Sequence, residues 1–315
     1  MYSKDWRLRN CPLCGDSEYS QKPEVSSPKR AEMLSFQEVK SYFIGLRNEQ
    51  VFFSYNRCQN CGLLYCPRYF SEEQLKILYS EMPDNLMGED KATVSKTQSG
   101  YVEWLSRRVN SIESYMEIGP DIGLVAVEIQ KRYEVVYSAM IEPNRSAHRA
   151  LRENLLKGRL QVYEYISEVS VLEKFNLIAG IHVYDHLLEP MKDLIELRNH
   201  AQDDAELLLV VHDEKSFLRR VMKSKWPPFC LQHPQLYNSK TLGELLLRAG
   251  WRLENLSKST NWWHLDHFAK MGSAVVGLPT SWSKVLPSIE FPSRLGNMIA
   301  LARWSTAVHR PPGRF

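Results

Sequence analysis

The chain has 315 residues, of which 43% are hydrophobic and 24% are charged, and its formal net charge is +3. These values are typical of a soluble globular protein with a sizeable buried core, and the charge is too small to imply a nucleic-acid partner. No apolar run approaches the ~20 residues that span a bilayer, and the first ten residues lack the apolar core of a signal peptide. We therefore expect a cytoplasmic protein without a membrane partner, built from one large domain and a smaller one.

Four of the six cysteines form two Cys-x-x-Cys pairs, each followed directly by a glycine. The pairs are Cys11 with Cys14 and Cys58 with Cys61. Two such turns can bring four thiolates together tetrahedrally around a zinc ion. A redox pair or unrelated core cysteines are the alternatives, but structural disulfides are rare in the cytosol. The spacing therefore predicts a structural zinc ion whose four sulfur ligands leave no open position for chemistry.

The predicted zinc-binding module and its linker helix cover residues 1–90. A strand over 51–57 leads into the second cysteine pair, and Ser71-Glu-Glu-Gln is a capping-box pattern that predicts a helix from Ser71. The polar stretch 83–96 predicts a linker, and a helix is expected over 99–109. The rest of the chain is predicted to form one domain over 91–308, followed by a frayed tail over 309–315.

From Ser114 onward, predicted strands alternate with predicted helices. The strands are expected at 115–118, 135–141, 160–163, 175–181, 206–211, 251–256 and 297–304, and the helices at 124–132, 145–156, 191–200 and 239–249. This alternation predicts an α/β fold, a doubly wound parallel sheet with helices on both faces. Right-handed crossovers then place the turns after Ile118, Ile141 and Ile181 on one edge of the sheet, where we expect the active site.

The first two strands of this series each have an acidic residue next to their last residue. Glu117 precedes a turn that contains Gly119 and Gly123, and this Glu-x-Gly-x-x-x-Gly pattern differs from the dinucleotide fingerprint G-x-G-x-x-G. Glu142, at the end of the second strand, is placed to accept hydrogen bonds from both hydroxyls of a ribose. A pyrophosphate would be repelled by Asp121, whereas a ligand with an ammonium and a sulfonium suits Glu117 and Asp121. The residues therefore favour S-adenosylmethionine (SAM) over NAD.

Seven motifs in a fixed order resemble a known family. They are CPLCG, RCQNCGLLY, SEEQLKILY, MEIGPDIG, IEPN, FNLIAGIHVYDHLLEP and HPQLYNSKTLGELLLRAGW, with GNMIALARW after them. In this order they resemble the class I SAM-dependent methyltransferases, and more narrowly the group with an N-terminal CxxC…CxxC zinc-binding module that includes sugar C-methyltransferases. The resemblance implies a Rossmann-like, mostly parallel seven-stranded sheet whose last strand is antiparallel to its neighbour.

The resemblance also implies roles for individual residues. Glu117, Gly119 and Gly123 would line the methionine part of SAM, and Glu142 would hold the ribose. Ile181 and His182, after the fourth strand, would flank the cofactor near the sulfonium.

Besides Asn176, which stands where the family often has Asp at a strand start, the sequence departs from the family's pattern in two ways. Asp121, at the amino-acid end of SAM, stands where the family usually has a small residue, and the extra C-terminal domain of the sugar C-methyltransferases does not follow the last strand. We therefore expect methyl transfer to carbon, oxygen or nitrogen of a small biosynthetic acceptor: a sugar, a nucleotide-sugar or a natural-product intermediate. The alternatives are a non-catalytic binding or assembly protein in which Asp121 has spoiled the cofactor site, and an NAD-dependent oxidoreductase. A homodimer is also considered.

Histidines near the predicted site edge are the candidates for a general base. His182 and His186 follow the fourth strand, and His233 lies in a proline-rich loop before a later helix. The sequence HVYDH is not the HExxH metal motif and no third ligand is evident, so a base is the better use of a histidine here. His186 is the first candidate and His233 the second, while His182 suits cofactor contact equally well. Tyr101 is expected either to cover SAM as a lid or to pack within its helix.

Overall fold

The computed structural model, which describes residues 3–43, 49–81, 91–266, 269 and 289–304, begins with a region of short strands and two helices. Its elements are β1 (Arg7–Leu8), β2 (Lys29–Arg30), α1 (Phe36–Phe43), β3 (Val51–Phe52), β4 (Asn56–Arg57), β5 (Leu64–Tyr65), β6 (Arg68–Tyr69) and α2 (Glu72–Ser80). The strand predicted over 51–57 is thus two short strands, β3 and β4. The capping box before α2 is confirmed: the Ser71 hydroxyl accepts the Gln74 N–H, and the Gln74 side chain accepts the Ser71 N–H.

The remaining elements form a seven-stranded sheet with helices packed against it, together with a short hairpin. They are α3 (Lys91–Ser106), β7 (Ser114–Ile118), α4 (Leu124–Arg132), β8 (Tyr137–Ile141), α5 (Ala147–Asn154), β9 (Arg159–Tyr163), β10 (Phe175–Ile181), α6 (Pro190–Leu197), β11 (Ala201–His212), α7 (Phe217–Met222), β12 (Gln235–Leu236), α8 (Ser239–Arg248), β13 (Trp251–Lys258), β14 (Asn261–His264), β15 (Glu290–Ser293) and β16 (Asn297–Trp304). The sequence did not predict the β14–β15 hairpin, the short strand β12 or the short helix α7.

The strand order in the large sheet is β13-β16-β11-β10-β7-β8-β9. Strands β9, β8, β7, β10 and β11 are parallel to their neighbours. Strand β16 is antiparallel to both β11 and β13. The predicted mostly parallel, seven-stranded, doubly wound α/β sheet is confirmed, and so is its antiparallel last strand.

Strand β11 shows why the middle of the sheet reads as a continuous apolar run. Leu207 and Leu209 point into a core that includes α6 and α8, whereas Leu208 and Val210 point into a core that includes α3, α4 and α5. A strand that is buried on both faces has no position at which a polar residue would be exposed to water. Helices therefore cover both faces, and the ends of the parallel strands remain open for a site.

The N-terminal region packs directly against the rest of the chain. Strand β5 pairs with β12 in a three-stranded sheet that also contains β4. Phe52 stacks on Phe229, with ring centroids 5.8 Å apart, and both belong to one buried cluster. The division of the chain at residue 90 stays a prediction. The linker predicted over 83–96 is wrong for residues 91–96, which form the first turns of α3, and the predicted tail 309–315 lies outside the described residues.

Candidate functional site

The acidic side chains singled out in the sequence lie together at the carboxyl edge, the edge of the sheet where the parallel strands end. Glu117 lies near the end of β7, opposite Met140 of β8 and Ala179 of β10. Glu142 directly follows β8. Both side chains are buried, with exposed fractions of 2% and 7%. Two carboxylates removed from water next to each other are a costly arrangement, and such groups are typical of functional sites.

The turn between β7 and α4 requires its glycines. Gly119 has φ +63°, and a Cβ there would lie 2.7 Å from Val183 Cγ2. Gly123 has φ +79° and is the N-cap residue, directly before α4. Asp121 also adopts a positive φ, +52°, which is uncommon for a residue with a side chain. The backbone therefore turns sharply here and brings its N–H groups to the carboxyl edge.

Glu142 is held in place by this turn. Its Oε2 accepts the Asp121 N–H at 2.9 Å, and its Oε1 accepts the Asn144 N–H at 2.8 Å. Burial raises the pKa of Glu142, and the two N–H groups oppose that effect. Each oxygen keeps a second lone pair, so the carboxylate can still accept two hydroxyl groups.

Glu117 is the more strongly perturbed of the two. Burial and, to a smaller extent, the charge of Glu142 raise its pKa to about 7, although the Tyr115 hydroxyl, which donates to it at 2.7 Å, lowers the pKa. A cationic group beside Glu117 would favour its ionised form. The side chain is therefore suited to a ligand that carries an ammonium group.

Four histidines meet at the same edge, and we call them the imidazole cluster: His182, His186, His212 and His233. The rings of His182 and His212 have centroids 4.8 Å apart, and those of His212 and His233 are 5.0 Å apart. Nε2 of His186 lies 3.1 Å from Nε2 of His233. The sequence predicted three of these histidines as site residues, and the structure brings all three together.

The pair His186 and His233 has a defined distribution of protons. Burial opposes a charge on His233, but Cys230, Asp185 and the Pro228 carbonyl outweigh it and raise the pKa of His233 to about 9. Burial and the charge of His233 hold the pKa of His186 well below its usual range. His233 is therefore the protonated member near neutral pH, and His186 is the neutral one.

Each ring of this pair also has a second partner. The Nδ1 of His233 lies 2.7 Å from the Pro228 carbonyl, and the Nδ1 of His186 lies 3.3 Å from the Tyr79 hydroxyl. Tyr79 belongs to α2, so the N-terminal region reaches the imidazole cluster.

The two residues predicted next to the sulfonium lie at the end of β10. Ile181 is the last residue of that strand and is half-buried. His182 follows with φ +56°, and its N–H donates to the Val210 carbonyl at 2.8 Å. Tyr101 is 2% exposed within the core, and its hydroxyl lies 3.5 Å from His182 Nε2. Tyr101 thus packs in α3 and also reaches the site edge.

The four paired cysteines converge as the sequence predicted. Their sulfur atoms all lie within 4.8 Å of one another. Cys11 lies 3.5 Å from Cys61, and Cys14 lies 3.5 Å from Cys58. Each pair is closed by a glycine N–H that donates to the first cysteine's carbonyl, and both glycines have positive φ. This donor set matches a tetrahedral zinc site with four thiolates.

Residues at the carboxyl edge that the sequence analysis missed are His212, Asp185 as a partner of histidine, and Asn297. His212 ends the buried strand β11 at the same edge as Ile181. Asp185 accepts the His212 N–H at 3.0 Å, and Asn297 Oδ1 lies 2.8 Å from His212 Nδ1. The rule that strand ends share one edge, applied to the run LLLVVH, would have identified His212.

Comparison with known proteins gives a family for most of this fold. A family model described as a methyltransferase domain matches residues 93–256, which is more than half of the 315 residues. No curated protein matches the chain. Within the described residues, no helix is long and apolar enough to cross a membrane.

Solved structures match about two thirds or more of this chain at low sequence identity. A chain from the complex of the Haloferax volcanii Trm112 methyltransferase activator with a methyltransferase is 11% identical, with a TM-score of 0.52, and the match covers 69% of this chain and 94% of that one. A SAM-dependent methyltransferase from Clostridium acetobutylicum is 11% identical, with a TM-score of 0.46 and coverage of 74% and 98%. One from Aquifex aeolicus is 14% identical, with a TM-score of 0.46 and coverage of 68% and 93%.

Proposed function

Because the chain belongs to the methyltransferase-domain family, we propose that it transfers a methyl group from SAM to a small-molecule acceptor. The observation that carries this proposal is the pair of buried carboxylates, Glu117 and Glu142, on either side of a glycine turn at the carboxyl edge. They suit the ammonium and the ribose of SAM, whereas a pyrophosphate would meet two negative charges. The NAD-dependent alternative is therefore disfavoured.

The cofactor is proposed to lie along the turn between β7 and α4. When bound, SAM supplies a methyl group on a positively charged sulfur. Glu117, Gly119 and Gly123 would contact its methionine part, and Glu142 would bind both ribose hydroxyls through the lone pairs that the backbone leaves free. Ile181, His182 and Tyr101 would lie near the sulfonium.

Asp121 supports this cofactor site through its backbone. Its N–H orients Glu142 at 2.9 Å. A residue that helps to hold the ribose-binding carboxylate argues for a functional cofactor site. We therefore favour an active methyltransferase over the alternative of a non-catalytic binding or assembly protein.

The base is proposed to be the pair of His186 and His233. A nucleophilic atom of the acceptor attacks the methyl carbon, the carbon–sulfur bond breaks with its electrons going to sulfur, and the acceptor loses a proton. His186 is the neutral member of the pair, and its ring is oriented by Tyr79 on one side and His233 on the other. Its Nε2 lone pair would take the acceptor's proton in place of the His233 N–H, while the Tyr79 hydroxyl keeps the ring oriented at Nδ1.

The four cysteines are proposed to hold a structural zinc ion. Sulfur atoms that already lie within 4.8 Å of one another need only small shifts to surround one ion. Zinc would fix the turn between β4 and β5, and it has no open position for a substrate.

The acceptor is proposed to be a sugar, a nucleotide-sugar or a natural-product intermediate, methylated on carbon, oxygen or nitrogen. Methyltransferase assays with SAM and candidates of each kind would identify it. His186→Gln should lower kcat by about 10²-fold or more, since that is the usual contribution of a general base. Its affinity for S-adenosylhomocysteine should stay unchanged, because His186 is assigned to the acceptor and not to the cofactor.

Calorimetry with the full chain tests the cofactor proposal. We expect S-adenosylhomocysteine to bind and NAD not to bind. Glu142→Ala should weaken the binding by about 10- to 100-fold, because the ribose hydroxyls lose a charged acceptor. Glu153→Gln, on the exposed surface of α5, is the control and should leave it unchanged. Absence of S-adenosylhomocysteine binding by the unaltered chain would refute the proposed function.

A further inference from the structure

Three polar side chains form a compact group at the carboxyl edge, next to the proposed base. His182 follows β10, Asp185 lies three residues later, and His212 is the last residue of β11. Because β10 and β11 are adjacent parallel strands, with Ile181 opposite Val210, these residues lie side by side. One nitrogen or oxygen from each of the three lies within 4.8 Å of the other two.

Two of the polar atoms in this group are buried without a hydrogen-bond partner among the described residues. They are Nδ1 of His182 and Oδ1 of Asp185. Asp185 is fully buried, and its other oxygen already accepts the His212 N–H at 3.0 Å. A buried carboxylate oxygen or imidazole nitrogen without a partner is costly, so such atoms call for a ligand.

Neighbouring side chains orient both rings, and the contact of His212 is typical of a metal-binding histidine. Nδ1 of His212 lies 2.8 Å from Asn297 Oδ1, which accepts its N–H and leaves the Nε2 lone pair free. The Nε2 of His182 lies 3.4 Å from Asn297 Nδ2 and 3.5 Å from the Tyr101 hydroxyl, so these two side chains hold the plane of a ring whose Nδ1 has no partner among the described residues. Such outer partners fix the tautomer and the direction of a metal-binding imidazole.

We propose that His182, Asp185 and His212 bind one first-row divalent metal ion, of the zinc or iron(II) type. Two imidazoles and one carboxylate are the protein ligands of many catalytic zinc sites and of non-haem iron sites, and they leave positions open for a substrate. Ligand atoms around such an ion lie about 3 to 3.5 Å apart. Side-chain rotations are therefore enough to close the site, with no movement of the strands.

The open positions point to a role that rests on the proposed function. An ion beside His182 would lie near the reacting methyl group and could bind an oxygen of the acceptor, which lowers the pKa of a hydroxyl there. The charge of Asp185 and of a bound oxyanion would together neutralise the ion. Metal binding itself does not depend on this role. The acceptor class implied is one with a hydroxyl or carbonyl oxygen close to the methylated atom.

Elemental analysis and cobalt spectroscopy of the full chain test the proposal. Chain produced in zinc-supplemented medium should carry two zinc ions, one at the four cysteines and one at the three residues. In chain produced with cobalt, the first ion shows an intense thiolate-to-cobalt charge-transfer band and the second shows only weak bands of nitrogen and oxygen ligands. A wild-type chain that takes up a single ion, or two ions that both show thiolate bands, would overturn the proposal.

Asp185→Asn is the matched variant, because the amide keeps the shape and can still accept the His212 N–H. It should lose the second ion and keep the thiolate band. Asp213→Asn, one residue beyond β11, is the control and should keep both ions. If Asp185→Asn retains two ions, the proposal fails. If that variant does not fold, the test uses the wild-type cobalt spectrum and His212→Gln, which should also lose the second ion.

S-adenosylhomocysteine binding, measured on the same samples, separates this proposal from the proposed function. Two metal ions without S-adenosylhomocysteine binding would leave the metal site standing and remove methyl transfer. One metal ion with S-adenosylhomocysteine binding would remove the second metal site and leave the proposed methyl transfer standing.

Discussion

Glu117 provides a prediction about cofactor binding that can be tested by pH alone. Its side chain is 2% exposed, and burial with the charge of Glu142 raises its pKa to about 7. A ligand ammonium beside it is attracted to the carboxylate and not to the carboxylic acid. Binding of S-adenosylhomocysteine should therefore remove a proton from Glu117 wherever that residue is protonated in the free protein.

The size of the effect follows from that pKa. One pKa unit corresponds to about 1.4 kcal/mol, or a tenfold change in an equilibrium constant. Roughly a tenth of Glu117 is ionised at about pH 6 and roughly nine tenths at about pH 8. If only the ionised form binds the ligand well, the association constant should rise about tenfold across this range and become constant above it.

Calorimetric titrations of wild type and Glu117→Gln at both pH values measure this rise. The amide keeps an acceptor for the Tyr115 hydroxyl and cannot ionise, so the variant reports the titration of the ligand and of every other group. Glu206→Gln is the control. Burial raises the pKa of Glu206 as well, but Glu206 lies at the opposite edge of the sheet, so this variant should show the same pH dependence of binding as wild type. Equal pH dependence in wild type and Glu117→Gln would refute the assignment of Glu117 to the ligand's ammonium.

Three further predictions concern stability and catalysis. Without ligand, protonated Glu117 contributes stability that is fully present below about pH 4.5 and is lost as pH rises through its folded-state pKa of about 7. The free energy of unfolding of Glu117→Gln, measured with urea, should therefore rise relative to that of wild type by up to about 3 kcal/mol across this pH range. Gly119→Ala should lower the free energy of unfolding by about 1 to 3 kcal/mol, because φ is +63° and the new Cβ would collide with Val183 Cγ2. Adding Val183→Ala to the same chain should restore the part of the loss that comes from this collision. Tyr79→Phe should lower kcat about fivefold, the equivalent of one hydrogen bond to His186, with no change in S-adenosylhomocysteine affinity; an unchanged kcat would remove Tyr79 from the proposed proton-transfer group.

The sheet could be predicted from the sequence because its strands and helices alternate and most of its strands contain a short apolar run. The starts of α3 and β11, which are mostly polar, were not predicted correctly. The residues at the start of α3, Lys91 to Lys96, carry no apolar stripe and were assigned to a linker. Strand β11 begins at Ala201, before its apolar run, and the exposed residues 202–204 lie where its pairing with β10 shifts register. The β14–β15 hairpin connects segments far apart in sequence, and local patterns do not show such pairings.

The site was predictable to the extent that it depends on strand ends. Glu117, Glu142 and His182 follow from the position at which each apolar run stops, and the structure places them at one edge. The contacts of His186 with His233 and Tyr79 depend on a loop and a helix that pack from different parts of the chain. No spacing rule relates such residues, because their proximity is set by tertiary packing. The roles of all these residues in binding and catalysis stay predictions.

The arrangement of the N-terminal region indicates how the proposed zinc ion, with no open position, would affect the proposed methyl transfer. Cys58 and Cys61 lie in the turn between β4 and β5, and β5 pairs with β12, which begins two residues after His233. Tyr55, just before β4, donates to the His233 carbonyl at 2.6 Å. An ion that fixes this turn therefore also fixes the backbone on both sides of the proposed proton-holding histidine. A zinc ion bound by four thiolates would act here by holding His233 against His186, and its effect on catalysis would be positional.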